Sequence, residues 1–131
     1  MDFHVGDSDS FSEEITQEKI SDFARTSGDT NPVHLDEGYA KTTRFKGCVA
    51  HGVLINVLIS RILGTRFPGP GTVLLSMYVK YSKPIYPGDV ITVKLTIAKV
   101  KKDKPILFFR AEVTNQTGDL ISKGRATVLV E

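Results

Sequence analysis

A single cysteine, Cys48, in 131 residues excludes a disulfide framework and any cysteine-based metal cage. No thiolate-stabilising neighbour stands beside it in the sequence, so it reads as a small packing residue. No uninterrupted apolar run reaches the ~20 residues that cross a bilayer, which predicts no membrane span. Charge of one sign is scarce: a net +2 is too little to imply a nucleic-acid partner. The basic residues that do cluster, Lys99, Lys101, Lys102 and Lys104, are interrupted by Asp103 and followed by Pro105. That pattern suits a solvated hairpin tip. The three histidines show no metal-ligand spacing with Cys48 or with acids, so no metal is expected. The opening Met1-Asp2-Phe3-His4-Val5-Gly6-Asp7 is acidic and lacks both the apolar core of a signal peptide and the arginines of a transit peptide. A cytoplasmic location is expected, or the mitochondrial matrix if a presequence was removed. Internal repeats and low-complexity tracts are absent as well.

What remains is an ordinary globular composition, 40% hydrophobic and 24% charged, expected to form one domain over residues 1–131. A chain of this length buries roughly two-thirds of its unfolded surface. Residues 3–15 predict an extended segment, and Thr16 then predicts a helix N-cap, with Ile15 and Ile20 spaced as a hydrophobic staple. Ile20, Phe23, Ala24 and Ser27 share a face, which makes Phe23 a core residue. The helix should stop at Gly28. A short helix over Asp36–Thr43 is weakened by Gly38. From Val53 to Leu63 the chain is apolar on nearly every side, with Gly64 suited to the C′ position, so this helix should be buried on most faces.

The second half alternates with period two. Val73, Leu75, Met77, Val79 and Tyr81 fall on one face of a strand over 72–82. Ile91, Val93, Leu95 and Ile97 do so over 90–99, and Leu107, Phe109, Ala111 and Val113 over 106–114. Pro87-Gly88-Asp89 and Asn115–Asp119 are turns, and Ala126, Val128 and Val130 mark a last strand. A buried helix inside a curled antiparallel β-sheet is an α+β architecture.

Chemistry concentrates in Ser27-Gly28-Asp29-Thr30-Asn31-Pro32-Val33-His34, where an acid and an imidazole stand five residues apart. Gly28 permits a tight turn, and Pro32 biases Asn31 toward extended backbone, so Asp29 and His34 should be displayed on a constrained loop. A carboxylate beside a histidine can hold and activate one water. The plainer possibility is an Asx-turn with a surface histidine.

Phe23, Ser27-Gly28-Asp29, Asn31-Pro32, His34 and Ala40, at these spacings, resemble the signature of the (R)-specific enoyl-CoA hydratases, the type-2 or MaoC-like branch of the hot-dog fold. The resemblance continues through Ala50-His51-Gly52 into the last strand, and so covers most of the chain. It implies a hot-dog domain, a homodimer with sheets paired edge to edge, no cofactor, and reversible hydration of trans-2-enoyl thioesters to (R)-3-hydroxyacyl thioesters. Asp29 and His34 would share the water, and the backbone N–H of Gly52, at the start of the buried helix, would stabilise the enolate oxygen. Asn31 would brace the loop. His51 has two readings, a second catalytic imidazole or a hydrogen-bonded residue at the helix start. Asn56 and Ser60, polar on an apolar helix, are either internally bonded or face the substrate tunnel.

His51-Gly52-Val53-Leu54-Ile55-Asn56 with Gly64 and Pro68-Gly69-Pro70-Gly71 is similar to the mitochondrial type-2 dehydratases and to bacterial hydratases that feed polyester synthesis. The thioester carrier, CoA or acyl carrier protein, stays open, and the lysine cluster could contact either. A hot-dog thioesterase is the first alternative, but residues 53–63 contain no acid of the kind those hydrolases place near the helix. A non-catalytic acyl-thioester sensor is the second, and it would not need the Asp29–His34 pair.

Overall fold

The computed structural model describes residues 2–131. Its elements run β1 (Ser8–Glu14), α1 (Gln17–Ser27), α2 (Pro32–Leu35), α3 (Glu37–Ala40), α4 (Val53–Thr65), β2 (Val73–Tyr81), β3 (Val90–Val100), β4 (Ile106–Thr114) and β5 (Leu120–Leu129). The strands form one antiparallel sheet in the order β1-β3-β4-β5-β2. Both β1 and β2 are therefore edges. Among the described residues no helix is long and apolar enough to cross a membrane.

The opening strand is shorter than 3–15 because Gly6, at φ 96°, turns the chain, and the Asp7 N–H closes back on the His4 carbonyl at 3.0 Å. Thr16 caps α1 by accepting the Lys19 N–H at 3.1 Å, and Ile15 and Ile20 are both fully buried beside it. Gly28 ends α1 in the left-handed region, its N–H bonded to the Ala24 carbonyl at 2.9 Å.

Helix α4 buries Leu54, Ile55, Leu58, Ile59, Ile62 and Leu63 against the inner face of the sheet. Each such aliphatic contributes about 1.5–3 kcal/mol when fully withdrawn from water. The helix is not covered on most faces, however. Val53 and Val57 remain 48% and 46% exposed and, with Ser60, form an open stripe. Nor does the helix end before Gly64. It runs on to Thr65, and Arg66 and Phe67 both donate to the Ile62 carbonyl as Pro68 forces the exit.

Register explains where strand alternation holds and where it slips. Ile91, Val93, Leu95 and Ile97 are all buried, as are Leu107, Phe109, Ala111 and Val113. In β2 a bulge leaves Leu75 without a partner between Leu74, opposite Val128, and Ser76, opposite Thr127. Leu74, rather than Val73 or Leu75, therefore shares the face of Met77, which lies opposite Ala126. Strand β5 begins at Leu120, well before Ala126, and puts Gly124 against β2.

A Cβ at Gly124 would fall 2.4 Å from the Tyr78 carbonyl oxygen and 3.2 Å from the Val79 Cα. Backbone cannot swing aside as a side chain does. Gly124→Ala is expected to destabilise the fold by about 3 kcal/mol, seen as a lower urea midpoint at unchanged slope.

Candidate active site

The site begins where α1 stops. Past Gly28, the Ser27 hydroxyl accepts the Asp29 N–H at 3.1 Å, and Thr30 bonds back to the Gly28 carbonyl at 3.1 Å. The Asp29 side chain is exposed and, among the described residues, its one hydrogen bond is a long 3.4 Å approach from the Asn31 N–H. Asn31 Oδ1 accepts the Val33 N–H at 3.1 Å, which makes Asn31 an N-cap.

The segment after Asp29 is not loop throughout. Pro32 occupies the first turn of α2, where its missing N–H costs nothing, and His34 rides on that helical turn. Three bonds pin α2. The Gln17 amide donates to the His34 carbonyl at 3.0 Å, the Val49 N–H donates to the Val33 carbonyl at 3.2 Å, and His34 Nδ1 meets the Val49 carbonyl at 2.7 Å.

That last bond assigns the tautomer. A carbonyl only accepts, so His34 Nδ1 carries the proton and Nε2 keeps its lone pair. His34 is 9% exposed, and burial holds its pKa below the ordinary value of 6.5; the Val49 bond opposes this, nearby His51 adds to it, and Asp29 opposes it. The imidazole is thus a neutral base near neutral pH.

His51 is 1% exposed and lies face to face with His34, ring centroids 3.7 Å apart at 26°. Its Nε2–H donates to the Asp29 backbone carbonyl at 2.9 Å, while its Nδ1 is buried with no hydrogen-bond partner among the described residues. Phe23 sits edge-on to the His51 ring at 4.9 Å and is only partly buried, so it walls the site as well as packing on the core.

One donor atom each from Asp29, His34 and His51 lie within 4.8 Å of one another. The premise that the histidines stand apart from acids is thereby corrected. One nitrogen of each ring already holds a backbone carbonyl, His34 Nδ1 that of Val49 and His51 Nε2 that of Asp29. Cys48 takes no part. It is buried, and burial together with Glu37 pushes its thiol pKa up, which keeps it protonated.

Gly52 precedes the first turn of α4, and among the described residues its N–H makes no hydrogen bond. A Cβ there would stand 3.3 Å from two carbons of the Tyr81 ring. Gly52 and Tyr81 line a pocket of about 290 Å³ together with Phe45, Val49, Ile55 and Ile85. Asp29 and His34 do not line it; Val49, whose carbonyl holds His34, connects the two. The Tyr81 hydroxyl donates to Asn56 Oδ1, and burial raises the Tyr81 pKa against the effect of that bond. Asn56 is thus half-buried and internally bonded, whereas Ser60 is exposed on the open stripe of α4; neither joins the Asp29–His34–His51 cluster. Sequence reasoning placed Tyr81 on one face of a strand with Met77 and Val79 but did not mark it as a pocket residue.

The MaoC like domain, as a family, matches residues 6–117. This chain belongs to that family. Among MaoC-like relatives it is 40% identical to an (R)-specific enoyl-CoA hydratase of Rhodospirillum rubrum, over 98% of this chain and 89% of that protein. It is 36% identical to a 3-hydroxybutyryl-CoA dehydratase of Methylorubrum extorquens, over 98% and 82%. The solved (R)-hydratase from A. caviae involved in PHA biosynthesis superposes with a TM-score of 0.95 at 32% identity, covering 98% of each chain. The five-stranded antiparallel sheet and its long helix are thus a hot-dog fold.

Proposed function

We propose that this protein is a lyase that reversibly adds water to trans-2-enoyl-CoA thioesters to give (R)-3-hydroxyacyl-CoA. The observation that carries this reading is the meeting of an exposed Asp29 carboxylate with a His34 ring whose Nδ1 proton is committed to Val49. Their separation suits one water at ~2.8 Å from each. The carboxylate and the free Nε2 both accept, so each holds one proton of the water, and an oxygen lone pair is left to attack C3. As the C3–O bond forms, the C2–C3 π electrons move to C2 and the charge spreads onto the thioester oxygen. The Gly52 N–H, without a partner among the described residues, stabilises that oxygen. The proton taken by the Asp29–His34 pair is returned to C2 from the same side, so the addition is syn. Dehydration is the same path reversed. Asn31 braces the turn that presents Asp29, and the Asn56–Tyr81 bond orders the pocket wall beside Gly52.

Crotonyl-CoA tests the activity. Loss of the conjugated enoyl-thioester absorbance without release of free thiol is expected. Thiol release would mean a thioesterase, and neither signal a binding module. Crotonyl carried on acyl carrier protein is expected to turn over more slowly than the CoA ester, in keeping with the CoA substrates for which the two curated relatives above are named.

Because catalysis requires neutral His34 and burial lowers its pKa, the acid limb of the kcat/KM profile should have its midpoint below pH 6.5. A pH–rate profile breaking at or above 6.5 would contradict this.

The partner supported best is a second copy. Strand β2 presents an unpaired edge with exposed Val73, Leu75 and Tyr78, and the open stripe Val53–Val57 lies on α4, which packs beside it. Such an edge invites pairing, and covering it would also close the Gly52 side of the pocket. Leu75→Lys is expected to shift sedimentation from dimer to monomer.

A further inference from the structure

We infer that His51 is the positioning residue of this site, holding the Asp29 turn through its Nε2–H and backing the His34 ring with its face; this rests on the catalytic reading of Asp29 and His34 above. Three observations converge. The Asp29 side chain has almost nothing of its own to fix it, since among the described residues its one hydrogen bond is the 3.4 Å approach of the Asn31 N–H. The backbone that carries it is instead anchored from across the fold, 22 residues away in sequence, by the 2.9 Å bond from His51. The His51 ring then covers His34 at 3.7 Å, so one side chain sets the location of both members of the pair.

The orphaned Nδ1 is the sign that this arrangement serves more than stability. A buried acceptor without a donor costs about 1–3 kcal/mol, and such atoms are rare. An apolar ring would fill the same volume without that penalty, but it would not supply the Nε2–H. His51 is therefore retained for the one proton it donates to the Asp29 carbonyl. Its neighbours fit that role. Phe23 abuts its edge, and Gly52, the next residue, carries the free N–H. Through this one imidazole, the acid, the base and the start of α4 are fixed relative to each other.

The test uses variants of the full chain. Glutamine places its amide nitrogen about where the histidine Nε2 lies, whereas asparagine falls one bond short. H51Q is expected to recover kcat to within about tenfold of wild type, while H51N and H51F lose about 10²-fold in kcat with little change in KM, the scale of a misplaced catalytic group. Should H51F fail to fold, H51Q against H51N carries the comparison. In a D29N background H51F should cost less than it does in the wild type, because one of the two groups it positions is already removed. Equal losses in H51Q and H51N that track melting temperature, or losses that multiply with D29N, would overturn the assignment. The underlying reading fails separately: D29N alone would then keep wild-type activity.

Discussion

Asp29→Asn should reduce kcat for crotonyl-CoA by about 10³-fold, or ~4 kcal/mol in the barrier, while leaving KM and the melting temperature nearly unchanged. The carboxylate is exposed, joins no ion pair among the described residues, and takes part in a single long contact from Asn31. Its removal therefore has almost no structural consequence for folding, and Asn is its isostere. What asparagine cannot do is accept a proton, or hold the water with charge at both oxygens. An amide also turns a donor toward the water, which sets its lone pair in the wrong direction. Loss of kcat without loss of fold is the expected signature, read from initial rates beside a thermal melt. A variant with wild-type kcat would remove Asp29 from the chemistry.

Gly52→Pro should cost about 10²–10³-fold in kcat, and Gly52→Ala much less. Gly52 has φ −55°, close to the value proline imposes, and its N–H has no partner among the described residues. Proline thus removes the one donor assigned to the enolate oxygen with little demand on the helix. Both variants bring a Cβ to 3.3 Å from the Tyr81 ring, so alanine measures the crowding alone. Proline also restricts the backbone of His51, and the kcat of H51F bounds that contribution. The difference between G52P and G52A, less that bound, is the worth of the N–H. Equal rates in the two variants would mean that the oxyanion is held elsewhere.

The strands were legible because alternation is a local signal, and Ile91, Val93, Leu95 and Ile97 are buried as their spacing requires. The bulge at Leu75 was not, since an extra residue is defined by the partner strand and β5 lies more than forty residues on. Gly64 misled for a related reason: glycine at a helix end is permission to stop, while Pro68 and the Ile62 carbonyl decide where the chain leaves. Pro32 carried two meanings, helix breaker and first helical residue, and the Asn31 cap selected the second.

At the site, residue types and spacing marked Asp29 and His34 as a possible acid–base pair, and the family resemblance added Gly52. Those features could not reveal which nitrogen of His34 is free, because the Val49 carbonyl that decides it comes from another segment. The same applies to His51, whose partner is a backbone atom and whose stacking on His34 exists only in the folded chain. The open stripe on α4 has the opposite character. Its composition reads as core, and only the fold shows that Val53 and Val57 remain uncovered.

The most direct test is to hydrate crotonyl-CoA in D2O and determine the relative configuration at C2 and C3 of the product by proton coupling. If one water held between Asp29 and His34 supplies both the hydroxyl and the proton, deuterium enters C2 on the same face as the hydroxyl enters C3, and C3 is R in every molecule. An anti or mixed product, or S configuration at C3, would contradict that mechanism.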